Sequence, residues 1–248
     1  MLSFVPADVL GWDLLIAGLI ATVAGLTKGY AGFGGGMIMA PLLAIIYGPA
    51  QAVAMIMVLE FLASLQLFPR AARQTDWRLI GPLALLTCLL TPVGLYALLY
   101  AEPETMRRFI GAVVLALALI MLSGWRYRGE IRPALTGGVG VLAGLLMGAT
   151  GLGGPPVILY VLSRPEGADR ARAGMISYFA IAIVFMIAIL SWRGVINELT
   201  LWRCVFLGPW FMLTIWAGSR LFRFGTEATF RKIALSLLVI AGLTAIVS

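Results

Sequence analysis

The sequence predicts an all-α polytopic membrane protein of two inverted-topology repeats, with broken or re-entrant helices at two glycine loops. Three observations predict it. Of the 248 residues, 61% are hydrophobic and only 12% charged, with a mean hydropathy of +1.01. Soluble domains average about 45–50% apolar and about 25% charged residues, so much of this chain has lipid as its solvent. The apolar residues gather into runs of bilayer length. A glycine pattern recurs at an offset of 119 residues.

The runs come first. A span needs about 20 residues at about 1.5 Å rise per residue. The long candidates are Trp12–Lys28, Ala50–Pro69, Leu79–Tyr100, Arg107–Trp125, Leu135–Met147, Gly174–Trp192, Leu201–Arg220 and Thr229–Val247. Two shorter runs, Met37–Tyr47 and Pro155–Ser163, reach only about 16 Å and about 13 Å at the helical rise. Neither crosses a hydrocarbon layer of about 30 Å alone, and each follows a glycine-rich turn, so each reads as a half-helix. Their lengths fit either re-entrant segments or parts of full spans. No basic segment precedes the first run, which Asp8 and Asp13 flank, so it is expected to stay as a membrane segment.

The charges orient the runs. The net charge is +7, but no arginine-aromatic patch of the kind a nucleic-acid binder needs is present. Arg70 and Arg73, the trio Arg126, Arg128 and Arg132, then Arg164, Arg170 and Arg172, and last Arg220 and Arg223, all lie in connections. If the ten runs alternate from an outside N-terminus, each of these clusters faces the cytoplasm, while Asp8, Asp13, Glu102 and Glu104 face out.

The repeat supplies the plan. At the offset of 119, Gly25, Gly29, Gly32, Gly34 and Gly35 meet Gly144, Gly148, Gly151, Gly153 and Gly154. Trp77-Arg78 resembles Trp202-Arg203, Gly94 resembles Gly218 and Glu104 resembles Glu227, at slightly larger offsets. Residues 1–128 form the first repeat and 129–248 the second, together one membrane domain. Five runs per half is an odd number, so the second half enters from the opposite side, a common plan of secondary transporters.

The glycine loops read Lys28-Gly29-Tyr30-Ala31-Gly32-Phe33-Gly34-Gly35-Gly36 and Gly148-Ala149-Thr150-Gly151-Leu152-Gly153-Gly154-Pro155-Pro156. Glycines spaced by four, Gly25 with Gly29 and Gly140 with Gly144 and Gly148, are expected to pack helices. The denser clusters Gly32–Gly36 and Gly151–Gly154 are expected to be irregular backbone lining a pocket. Helices starting near Met37 and Pro155 would present unpaired N–H groups and the positive ends of their dipoles. Two such ends meeting in the membrane suit a small anion. The candidate substrate-binding residues are Lys28, Gly32, Gly34, Gly35, Gly36, Thr150, Gly151, Gly153, Gly154 and Pro155.

Taken together, the motif Gly32-Phe33-Gly34-Gly35-Gly36 with Pro41, and its counterpart Gly151-Leu152-Gly153-Gly154-Pro155-Pro156, resemble the sulfite exporter TauE/SafE family over nearly the whole chain. The resemblance implies export or uptake of sulfite, a sulfonate or a related sulfur-containing anion by a transporter of the bacterial inner membrane, and the chain is expected to be an exporter. The positions it carries over are the glycine loops.

Two charges stand inside apolar runs. Glu60 lies ten residues into its run, about 15 Å deep and close to the midplane of the hydrocarbon. It is either a proton-coupling carboxylate or one half of a structural pair. Lys28 abuts the first loop and either contacts the anion, pairs with Glu60 or snorkels to the interface. The hydroxyls of Thr27, Tyr30, Tyr160, Ser177 and Tyr178 are weaker candidates. The expected partners are therefore a small anion, protons through Glu60, and lipid; no oligomeric state is implied.

Other chemistries lack their residues. There is no histidine, and Cys88 and Cys204 sit in apolar surroundings as small hydrophobes, so neither a metal site nor a cofactor is expected. No phosphate-binding G-x-x-x-x-G-K-[ST] motif occurs, and no nucleophile stands beside a base, so the chain is not expected to be an enzyme. A passive anion channel built on the same loops is the alternative to a carrier.

Overall fold

A computed structural model describes residues 11–31, 34–64, 68–123, 133–161, 168–221, 236 and 238–246. Its helices are α1 (Trp12–Ala31), α2 (Gly35–Tyr47), α3 (Pro49–Ser64), α4 (Phe68–Gln74), α5 (Trp77–Tyr100), α6 (Pro103–Leu122), α7 (Pro133–Thr150), α8 (Gly154–Val161), α9 (Ala168–Trp192) and α10 (Glu198–Leu221). Residues 238–246 are also helical. No strand occurs among the described residues.

Among the described residues, six helices are long and apolar enough to cross a bilayer: α1, α5, α6, α7, α9 and α10. Their outward faces are apolar, as a lipid solvent allows. On α5, Leu85, Leu89, Val93, Tyr96 and Tyr100 form one stripe, each more than half exposed, while Leu83, Thr87, Thr91, Gly94 and Leu95 on the other face are buried. The chain is a multi-pass membrane protein.

The run Ala50–Pro69 is described over α3 to Ser64 and again from Phe68 in α4, and residues 65–67 lie outside the described residues. One expectation is corrected here: the glycine clusters are less irregular than their density implies. α1 continues through Lys28 and Gly29 to Ala31, α7 continues to Thr150, and Gly35, Gly36 and Gly154 already belong to α2 and α8. Much of the expected last run, Thr229–Val247, lies outside the described residues.

The glycines spaced by four do pack helices, and they do so in two matching seams. In the first, α1 lies along α10: a Cβ at Gly29 would stand 2.0 Å from the Ile215 carbonyl oxygen, and one at Gly218 would stand 2.4 Å from that of Leu26. In the second, α7 lies along α5: a Cβ at Gly148 would stand 2.1 Å from the Thr91 oxygen, and one at Gly94 would stand 2.1 Å from that of Leu145. At these four glycines a Cβ would meet the backbone of the neighbouring helix, so the two backbones approach closely there. Contacts climb together along both partners of each pair, so α1 runs parallel to α10 and α5 to α7.

α3 and α9 occupy the middle. They pack on each other, α3 also packs on α10, and α9 also packs on α5. Ala52, Val53, Ala54, Met55, Ile56 and Met57 of α3 are all buried, the pattern of a helix enclosed by others. Threonines two residues ahead of each Trp-Arg pair tie the framework to these helices. Thr75 Oγ1 lies 2.7 Å from Ser177 Oγ and donates to the Ala173 oxygen at 3.1 Å, both on α9. Thr200 Oγ1 donates to Gln51 Oε1 of α3 at 2.6 Å.

Candidate functional site

The first turn is set by Gly34. Its φ of 93° is left-handed backbone that glycine adopts freely. It caps α2, whose ladder begins with Ile38 N–H donating to the Gly34 oxygen at 3.1 Å. The N–H groups of Gly35, Gly36 and Met37 therefore precede that ladder, at the positive end of the helix dipole. Gly35 packs on α1, where a Cβ would stand 3.2 Å from Lys28 Cβ and 3.3 Å from the Ala24 oxygen.

The Lys28 ammonium and the Glu60 carboxylate form an ion pair beside this turn, each side chain about one-sixth exposed (17% and 16%). Lys28 lies in the last turn of α1, where the dipole favours a cation. Glu60 lies on α3, and its carboxylate has the Lys28 ammonium as its ion-pair partner. The Glu60 Oε1 atom is 3.8 Å from the position a Gly36 Cβ would take.

The second turn is held by hydrogen bonds. Thr150 Oγ1 donates to the Leu146 oxygen at 2.7 Å and accepts from Leu152 N–H at 3.2 Å. Gly151, with φ of 74°, donates its N–H to the Met147 oxygen at 2.9 Å. Tyr178, buried on α9, points its hydroxyl at the Gly153 oxygen (3.4 Å) and at Thr87 Oγ1 (3.0 Å). A Cβ at Gly153 would stand 2.6 Å from the Ala143 oxygen, and one at Gly154 would stand 2.4 Å from the Phe179 ring. Pro155 and Pro156 have no N–H, so the first turn of α8 offers fewer donors than that of α2.

Both turns lean on α3. Gly36 lies against Ile56, and Gly151 against Val53 and Met57. They meet through Leu152, whose buried side chain places Cδ2 3.8 Å from the Gly36 Cβ position. Lys28, Gly35, Gly36, Glu60 and Leu152 thus share one neighbourhood. Thr150, Gly153 and Gly154 turn toward α7 and α9, and Gly32 lies outside the described residues. Leu152 was not among the expected residues. One signal pointed to it: at the repeat offset it matches Phe33, the bulky apolar residue of the other glycine cluster.

The sulfite exporter TauE/SafE family model matches residues 17–245, nearly the entire chain. No curated protein and no solved structure matches it. The match spans both glycine turns, both glycine seams and the Lys28–Glu60 pair, and the chain belongs to the sulfite exporter TauE/SafE family.

Proposed function

We propose that the chain is a secondary transporter exporting sulfite, a sulfonate or a related sulfur-containing anion, in which the anion competes with Glu60 for Lys28. Family membership carries the coarser statement, a membrane transporter of sulfur-containing anions. The observation that carries the finer one is the Lys28–Glu60 pair set against Gly35 and Gly36 at the start of α2.

The chemistry follows from the pair. While Glu60 is ionised, it neutralises Lys28 and its own negative charge repels an anion. When Glu60 takes a proton, the ammonium loses its partner and is available to the anion, beside the N–H groups that begin α2. The proton then moves with the anion. A complex that retains net negative charge leaves an inside-negative cell with about 2.3 kcal/mol per charge per 100 mV in its favour, which suits export.

The seams support an alternating-access scheme with a fixed frame. Each seam joins a helix of one repeat to a helix of the other, α1 with α10 and α5 with α7. Rocking of intact halves would have to slide backbones already in contact. The reading is therefore that the seams stay closed while α2–α3 and α8–α9 move between them, with Leu152 opening and closing the space at Gly36. The parallel run within each seam agrees with ten alternating segments, and the matching seams support the inverted repeat.

The test is uptake of radiolabelled sulfite into proteoliposomes. Wild-type flux is expected to saturate, to show counterflow and to respond to a pH gradient. Glu60→Gln, which keeps size and hydrogen bonding but cannot ionise, is expected to transport without that response. A pH response unchanged in Glu60→Gln removes the proton role. Single-channel currents would establish the passive channel instead.

A further inference from the structure

The geometry points to a second anion site, an arginine-lined recess at the arginine-rich membrane face, which collects the substrate before it reaches Gly36. This rests on the transport reading above. An open recess of about 520 Å³ lies where α4, the start of α5 and the start of α9 meet, lined by Arg73, Gln74, Thr75, Asp76 and Arg170. Arg73 and Arg170 are exposed, and neither makes an ion pair among the described residues. Asp76, the one acid in the lining, is engaged as the cap of α5: its Oδ1 accepts from Arg78 N–H at 3.0 Å.

Two features tie the recess to the second glycine turn. A smaller hollow of about 10 Å³ shares Asp76 and Arg170 with the recess and is also lined by Leu79, Ile80 and Val161, the last residue of α8, whose first residue is Gly154. Eight residues at the helical rise put the two ends about 12 Å apart. Alongside runs a series of buried hydroxyls. Thr75 meets Ser177 at 2.7 Å, and the next residue, Tyr178, reaches the Gly153 oxygen. Two guanidiniums that make no ion pair among the described residues suit a soluble oxyanion, because Arg offers forked donors to its oxygens. An anionic lipid headgroup shares that chemistry, and the experiment separates the two.

The experiment uses sulfite as the probe on the full chain. Equilibrium dialysis in an uncharged detergent at low salt compares two proteins. One carries Lys28→Met and Glu60→Gln, which disables the site at Gly36. The other carries Arg73→Gln and Arg170→Gln as well. The first is expected to retain sulfite binding and the second to lose it. In transport, Arg73→Gln/Arg170→Gln alone is expected to raise the half-saturating sulfite concentration about tenfold from the arginine face, and added salt should erase the difference. Equal binding by the two proteins, or an unchanged half-saturation, overturns the recess. So does a recess that holds phosphatidylglycerol in an arginine-dependent way while binding no sulfite. A wild type that binds sulfite at the recess yet transports none overturns the transport reading and leaves the recess standing.

Discussion

The Lys28 ammonium pairs with the Glu60 carboxylate across 32 residues of chain, joining the end of α1 to the end of α3. Both groups are mostly enclosed, so removing one strands the other. Lys28→Met is therefore expected to lower the melting temperature in detergent more than Lys28→Met/Glu60→Gln does. Equal losses from the two variants would mean that the pair contributes no coupling.

Leu152 is the contact between the two glycine turns. Truncating a buried leucine to alanine costs about 2–5 kcal/mol in stability and leaves a space. Leu152→Ala is expected to melt lower and to leak anion in the absence of a pH gradient. A tight, fully gradient-dependent flux in this variant would show that Leu152 does not close the path.

The seams predict a contrast between glycines inside them and glycines outside them. Gly148→Ala in α7 places a methyl 2.1 Å from the Thr91 oxygen, and Gly29→Ala in α1 places one 2.0 Å from that of Ile215. Each is expected to cost about 1–3 kcal/mol through overpacking. Gly137 and Gly138, also in α7, have nothing within 4 Å of a new Cβ. Alanine there is expected to be neutral or to stabilise by up to about 1 kcal/mol through helix propensity. Thermal denaturation of the four variants checks this directly.

A fixed α1–α10 seam tolerates a cross-link. Trp210 Nε1 donates to Thr22 Oγ1 at 2.7 Å, so these positions are neighbours. With Cys88 and Cys204 replaced by alanine, cysteines at 22 and 210 joined by a short bis-maleimide are expected to leave sulfite flux within about twofold. Loss of flux on cross-linking, restored with a cleavable reagent, would place the moving boundary at the seam.

Much of the fold was legible because glycine and proline punctuate the runs. Tyr47-Gly48-Pro49 marks the break between α2 and α3, and the four-residue spacing of Gly25 with Gly29 and Gly140 with Gly144 and Gly148 marks the seams. The pairing of Lys28 with Glu60 stood as one of several options, since proximity across 32 residues is a tertiary fact. Leu152 was hidden among many leucines. Arg73 and Arg170 read only as markers of the cytoplasmic side, because the recess they line is made by three separate helices.

The central claim is that Lys28 holds the anion once Glu60 is neutral. The most direct measurement is the sulfite dissociation constant of Glu60→Gln against Glu60→Gln/Lys28→Met, at an ionic strength high enough to screen the recess. Residue 60 is uncharged in both, so Lys28 alone differs. The account predicts that Glu60→Gln binds at least as tightly as wild type and that adding Lys28→Met weakens binding at least about tenfold, the size of one lost charge-assisted contact. Equal dissociation constants for the two variants would contradict it.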